Sequence, residues 1–323
     1  VEQQKAKAIV SKPIARAKTA PIATPTVAAV STAAPVDEPK PTAATAEAIA
    51  ALPEHPEPKP AAAPTNPLEA LFPVAGAPPF GALFRNQHML IYGAQGCGKT
   101  TFFGGYAGAY ILPFEPGCYQ ASRYWPHKLD SWEKFEGALK AIWQGYQTKH
   151  LQTVGITTIV IDSVDALYKL AVEKICRDNA IKDLSDMSYG RGYSLADGLF
   201  MGGIDRLKSI MPIAMTSHVS TITKPVESKS GIEKDVEKIV PSIKRSLNEW
   251  LSGWVPIVGY AYKSAEGEFL VKFHSHFRLE SKCRDSILEG IKKPYPNKFE
   301  VVAKAHDDGL KAKGYRYSEE FQP

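Results

Sequence analysis

The chain has 323 residues, 44% of them hydrophobic and 23% charged, and a formal net charge of +5. So small an excess permits contact with nucleic acid without demanding it. The four cysteines form no C-x-x-C pair, which argues against a zinc site or a disulfide framework and for a reduced, cytoplasmic protein. No apolar run approaches the ~20 residues that a membrane span needs.

In chain order, residues 1–80 hold 15 of the 25 prolines among alanine, threonine, lysine and glutamate. Such a segment buries too little apolar surface to offset its ordering entropy, so it reads as a disordered Ala/Pro-rich tether. Residues 81–323 read as one folded domain, with an extension from about 291 to 323. His88–Tyr92 is a short apolar strand that leads into Gly93-Ala94-Gln95-Gly96-Cys97-Gly98-Lys99-Thr100, a match to G-x-x-x-x-G-K-[ST] at every fixed position. A helix can start directly afterwards. Strand, glycine loop and helix in that order aim backbone N–H groups and a helix N-terminus at one anion.

Gly96 and Gly98 let the backbone wrap the phosphates. Lys99 reaches the β- and γ-phosphate oxygens, and Thr100 ligates Mg²⁺. The candidate nucleotide-binding set is therefore Gly93 to Thr101, with ATP and Mg²⁺ as the expected ligands. Further on, Ile159-Val160-Ile161 reads as a buried parallel strand ending in Asp162, the expected metal partner of Thr100. Asp165 is the expected N-cap of the helix that follows.

These segments resemble the RecA-like ATPases, and most of all the phage nucleotide-binding proteins of that group, which include single-strand annealing recombination ATPases. The likeness rests on LIYGAQGCGKTT, YILPFEPG, TTIVIDSVDAL, YGRGY and PIAMTSHVS, in that order, and spans roughly residues 85 to 290. It implies an α/β fold, with a mainly parallel sheet and helices on both faces. Glu115 would orient the attacking water, and His218 would sense the γ-phosphate. Lys282 and Arg284, at i and i+2 of a late strand, lie on one face. The resemblance implies that they reach the phosphates of a neighbouring subunit, so the active site would be completed by a homo-oligomeric ring or filament.

It also implies two loops that touch single-stranded DNA. One holds Tyr189, Arg191 and Tyr193. The other is the polar stretch with Lys224 and Lys229, expected to have little regular structure. The place of action would be the cytoplasm, that of the host if the protein is phage-encoded. Pro256 departs from the acid usual near that position. Two other functions stay open: an ATP-switched assembly factor or loader that grasps a replication protein through its tether, and a small-molecule kinase.

Overall fold

Five short apolar runs, each too brief for a helix of this burial, are the strands on which everything else is laid. The computed structural model describes residues 80–116, 123–227, 233–290 and 293–318. The tether expected over 1–80 therefore lies outside the described residues except for Phe80. In chain order the elements are β1 (Phe80–Ala82), β2 (Met89–Gly93), α1 (Lys99–Gly104), β3 (Ala109–Pro113), α2 (Trp132–Gln147), α3 (His150–Thr153), β4 (Thr158–Asp162), α4 (Val164–Asp178), α5 (Arg191–Lys208) and β5 (Ile213–Ser217). There follow β6 (Val219–Glu227), β7 (Glu233–Pro241), α6 (Arg245–Trp254), β8 (Ile257–Lys263), β9 (Phe269–Lys272), β10 (Lys282–Cys283), β11 (Tyr295–Pro296), α7 (Phe299–Ala312) and β12 (Arg316–Ser318).

The main sheet runs β11-β9-β8-β2-β5-β4-β3, with β10 paired to β8. Its five central strands are mutually parallel, whereas β9, β10 and β11 join antiparallel. Side chains alternate across each strand, so the sheet divides the apolar residues into two cores. Leu90, Tyr92, Ile159, Ile161, Ile213 and Met215 pack with residues of α2, α4, α5 and α6. Met89, Ile91, Val160, Ala214 and Ile257 pack on the other face with Phe102 and Phe103 of α1 and with Phe299, Val302 and Ala303 of α7. The expected α/β architecture is thus observed, and no helix of the described residues is long and apolar enough to cross a membrane.

The carboxyl-terminal extension is part of this second core. In α7 the buried positions Phe299, Val302, Ala303, His306 and Leu310 form one stripe at helical spacing. Phe299 stacks on Tyr106, with ring centroids 4.2 Å apart.

Within that stripe, His306 is fully buried; its Nε2 lies 2.6 Å from Asp285 Oδ2 and its Nδ1 lies 3.0 Å from Asp307 Oδ1. Cys283 Sγ donates to Asp285 Oδ1 at 2.9 Å, and Gln87 Nε2 lies 3.2 Å from His306 Nε2. Burial opposes the imidazolium, but the bonds to Asp285 and Asp307 outweigh it and raise the His306 pKa. Burial likewise opposes the Asp285 carboxylate, yet His306 and Cys283 hold its pKa well below the usual range. Burial and Asp285 together push the Cys283 thiol up to about 12. The cluster is a charged clasp between α7 and the residues flanking β2 and β10.

A raised folded-state histidine pKa stabilises fully below the unfolded value, near ~6.5, and the stabilisation fades as pH rises through the folded value. The thermal midpoint of His306→Gln should therefore fall below that of the wild type by more at pH 6 than at pH 9. The deficit at pH 6 should be about 3 kcal/mol, because the variant leaves a buried carboxylate without its partner. An equal deficit at both pH values would show that His306 is held neutral.

Candidate nucleotide site

The glycine loop joins the carboxyl end of β2, in the middle of the sheet, to α1. Gly96 has φ 74° and Gly98 has φ 87°, left-handed values that a side chain disfavours. Gly93 is needed for space: a Cβ there would stand 2.1 Å from the carbonyl oxygen of Ala261 on β8. Lys99 is buried and folds back into the loop, where Nζ donates to the carbonyls of Gly93 and Ala94, each at 2.9 Å.

Asp162 lies at the tip of β4, one strand removed from β2, because β5 intervenes. Its carboxylate is buried and accepts the Thr100 hydroxyl at 2.7 Å and that of Thr216 on β5. Thr100 and Asp162 thus present adjacent hard oxygens of the kind Mg²⁺ prefers. The donor set fits the expected ion, which would neutralise phosphate charge there. Thr216 is the residue that sequence reasoning missed; the available signal was a hydroxyl inside a fully buried strand, beside the polar Ser217-His218.

Glu115 stands two residues beyond β3, which pairs with β4 in register Pro113 to Asp162. The carbonyl of Asp162 accepts the Phe114 N–H at 2.8 Å and so sets where Glu115 begins. The Glu115 carboxylate accepts the Ser163 hydroxyl, and its Oε1 lies 3.0 Å from His218 Nε2. The strand tips therefore bring Lys99, Thr100, Asp162, Glu115 and His218 to one end of the sheet. A carboxylate and an imidazole in contact can accept a proton from water, and the Ser163 hydroxyl holds the Glu115 carboxylate in place.

The helix cap differs from expectation. Ser163 is the N-cap of α4, with its side chain accepting Ala166 N–H at 3.3 Å. Asp165 instead accepts the His218 N–H at 2.9 Å and the Ser242 hydroxyl, so it ties α4 to the exit of β5. A first-turn carboxylate is also favourable to the helix dipole. The Asp162–Ser163 peptide bond is cis.

Lys282 lies in β10, whereas Arg284, expected on the same strand, falls in the turn just past its end; both stand apart from the loop. Lys282 pairs in register with Val258 and so with Leu90, whereas the loop begins at Gly93 beside Ala261. Lys282 Nζ donates to Ser252 O at 2.6 Å and Arg284 Nη2 to Gly253 O at 2.9 Å. Both cations thus satisfy orphan carbonyls at the C-terminal end of α6. Burial, then the Arg284 charge, lowers the Lys282 pKa.

The stretch expected to be an irregular polar loop is a regular antiparallel hairpin, β6–β7, that starts one residue after His218. Its lysines and acids are interleaved in sequence, so their balance concealed a segregation by register. Lys224 pairs with Val236 and Ile222 with Lys238, on one face; Thr223 pairs with Glu237 and Pro225 with Asp235, on the other. Lys229 lies outside the described residues. Of the residues expected on the other loop, Arg191 and Tyr193 lie instead in the first turn of α5, and Tyr189 lies in the turn before it; Tyr189 and Arg191 are exposed. Tyr193 lies under Lys244 Nζ, 5.2 Å from the ring centroid, and Lys244 also joins Ser220, Ile222 and Lys224 along one cleft.

A glycine loop between a central parallel strand and a helix, facing an acid at the tip of a strand two places away, defines a P-loop nucleotide-binding core. The family model for the AAA domain matches residues 85–284, and the chain belongs to that family of P-loop ATPases. No curated protein matches the chain.

Replacing both Lys282 and Arg284 by alanine should lower stability by about 1 kcal/mol, through loss of the cations at the end of α6. Urea unfolding at low and high salt measures this, and the deficit should shrink as salt screens the interaction.

Proposed function

We propose that this protein is an Mg-ATP-dependent ATPase that acts as an oligomer on single-stranded DNA, in recombination or annealing of the phage type. The observation that carries the reading is the continuity between Glu115, His218 and the β6–β7 hairpin. His218 touches the acid expected to orient water, and one residue later the chain enters a ribbon with lysines on a single face. A ligand held by that ribbon would bear directly on His218, and the state of the nucleotide site would bear on the ribbon.

Lys224, Tyr189, Arg191 and Tyr193 suit single-stranded nucleic acid, which binds through cationic tracking of phosphates and stacking on aromatic rings. Thr100 and Asp162 would hold Mg²⁺, and Lys99 would leave the loop carbonyls for phosphate oxygens. Glu115 would take the proton of the attacking water. In an oligomer, Lys282 and Arg284 would serve a neighbour's phosphates only by releasing the carbonyls of α6. A mixture of Lys282→Ala and Lys99→Ala proteins should regain hydrolysis if they do so. No recovery would remove the role across subunits.

Lys99→Ala should abolish nucleotide binding. Glu115→Gln should bind ATP normally while hydrolysis falls about 10²- to 10⁴-fold, read in equilibrium binding and phosphate-release assays. Binding of an oligonucleotide should weaken steeply with salt, and Lys224→Ala should flatten that dependence. If no DNA binds at low salt, with or without ATP, the DNA reading fails. Capture of a replication protein through residues 1–80 would then point to a loader.

A further inference from the structure

The clasp between α7 and β10 stands at the opposite end of the sheet from the glycine loop. Cys283 of β10 pairs with Ile257, the first residue of β8, and Ile257 pairs in turn with Met89, the first residue of β2. The glycine loop leaves the far end of β2, at Gly93. Three side chains of different chemistry converge at the near end. Cys283 Sγ, an Asp285 carboxylate oxygen and His306 Nε2 all lie within 4.8 Å of one another. Cys283 and His306 are buried, whereas the Asp285 side chain keeps 15% exposure, enough to admit solvent. Asp285 and His306 both lie beyond the AAA-domain match.

The surrounding groups fix how each of the three is presented. His306 Nδ1 lies 3.0 Å from Asp307 Oδ1, and an ionised carboxylate only accepts, so Nδ1 carries a hydrogen and Nε2 is the nitrogen turned to Asp285. Asp307 is anchored in turn, its Oδ1 accepting the Phe84 N–H at 2.8 Å. Asp285 Oδ1 accepts the Ile287 N–H at 3.1 Å, and the Cys283 N–H donates to Glu289 Oε1 at 3.1 Å. A carboxylate that holds the far nitrogen of a histidine is the usual outer support of a metal-binding imidazole.

We propose that Cys283, Asp285 and His306 bind one Zn²⁺ through Sγ, a carboxylate oxygen and Nε2, with water in the fourth tetrahedral position. A thiolate and an imidazole select zinc over Mg²⁺, which takes oxygen ligands, so this site is separate from that of Thr100 and Asp162. Binding expels two protons, one from the Cys283 thiol and one from the His306 imidazolium. The side chains lose two positive charges as the ion brings two, so the buried cluster keeps its net charge. Tetrahedral bonds to zinc hold ligand atoms roughly 3.2–3.7 Å apart. Asp285, now 2.6 Å from His306 and 2.9 Å from Cys283, would have to withdraw by less than about 1 Å. The ion would fasten α7, and the core it closes, to β10. No C-x-x-C pair announces the site, because its ligands are a C-x-D pair and a histidine 21 residues beyond the aspartate.

Titration of the chelator-treated full chain with Co²⁺ near neutral pH tests this. Co²⁺ accepts the same tetrahedral ligands and reports a bound thiolate by a charge-transfer absorption. One equivalent should produce that absorption, and Zn²⁺ should displace it. Zn²⁺ should also raise the thermal midpoint, by an amount that grows with its free concentration. Cys283→Ser, whose hydroxyl can still donate to Asp285, should lose both the absorption and the response to Zn²⁺. Asp307→Asn leaves all three ligands in place; it should keep the absorption at saturating Co²⁺ while affinity falls about 10- to 100-fold. No thiolate absorption in the wild type would overturn the proposal. The same absorption in Cys283→Ser would overturn it too, by placing the ion at another cysteine.

Discussion

A carboxylate withdrawn from water at a strand tip must be compensated on every side, and Asp162 is where this structure meets that demand. Its side chain accepts hydroxyls from Thr100 on α1 and Thr216 on β5, while its carbonyl accepts the Phe114 N–H beyond β3. One residue thus fixes the loop helix, the intervening strand and the start of Glu115 relative to one another. The same residues compose the candidate chemistry. Compensation of a buried charge and assembly of the site are, in this fold, a single arrangement.

The second organising fact is that the sheet has two cores, and one of them is closed by the end of the chain. The face covered by α1 would be left open by α1 alone, which is six residues long. Phe299, Val302 and Ala303 of α7 complete it, and the His306–Asp285 pair secures the helix there. With α7 in place, Asn297 is carried to Gly98, about two hundred residues away in sequence. Packing of the second core and a contact on the glycine loop therefore come from the same extension.

Much of the fold was legible because its signals are local. Continuous β-branched runs such as Ile159–Ile161 predict buried strands, and the position of Glu115 after an apolar run follows from the same pattern. Two expectations failed for identifiable reasons. Ser163 and Asp165 are both competent caps, and only the approach of His218 and Ser242 assigns Asp165 elsewhere. The β6–β7 segment carries lysines and acids in near balance, which hides the fact that pairing in register separates them onto opposite faces.

By itself the sequence determined the phosphate loop, because backbone N–H groups, a lysine and a hydroxyl within eight residues need no distant partner to be recognised. It also determined the parallel strands and the acid that ends one of them. Only the tertiary structure decided which further groups meet that site: Thr216 of β5 bonds Asp162, and Asn297, beyond β11, bonds Gly98 O, contacts that no spacing encodes. The same holds for Lys282 and Arg284, whose adjacency was legible but whose carbonyl partners on α6 became visible only once β10 had paired with β8.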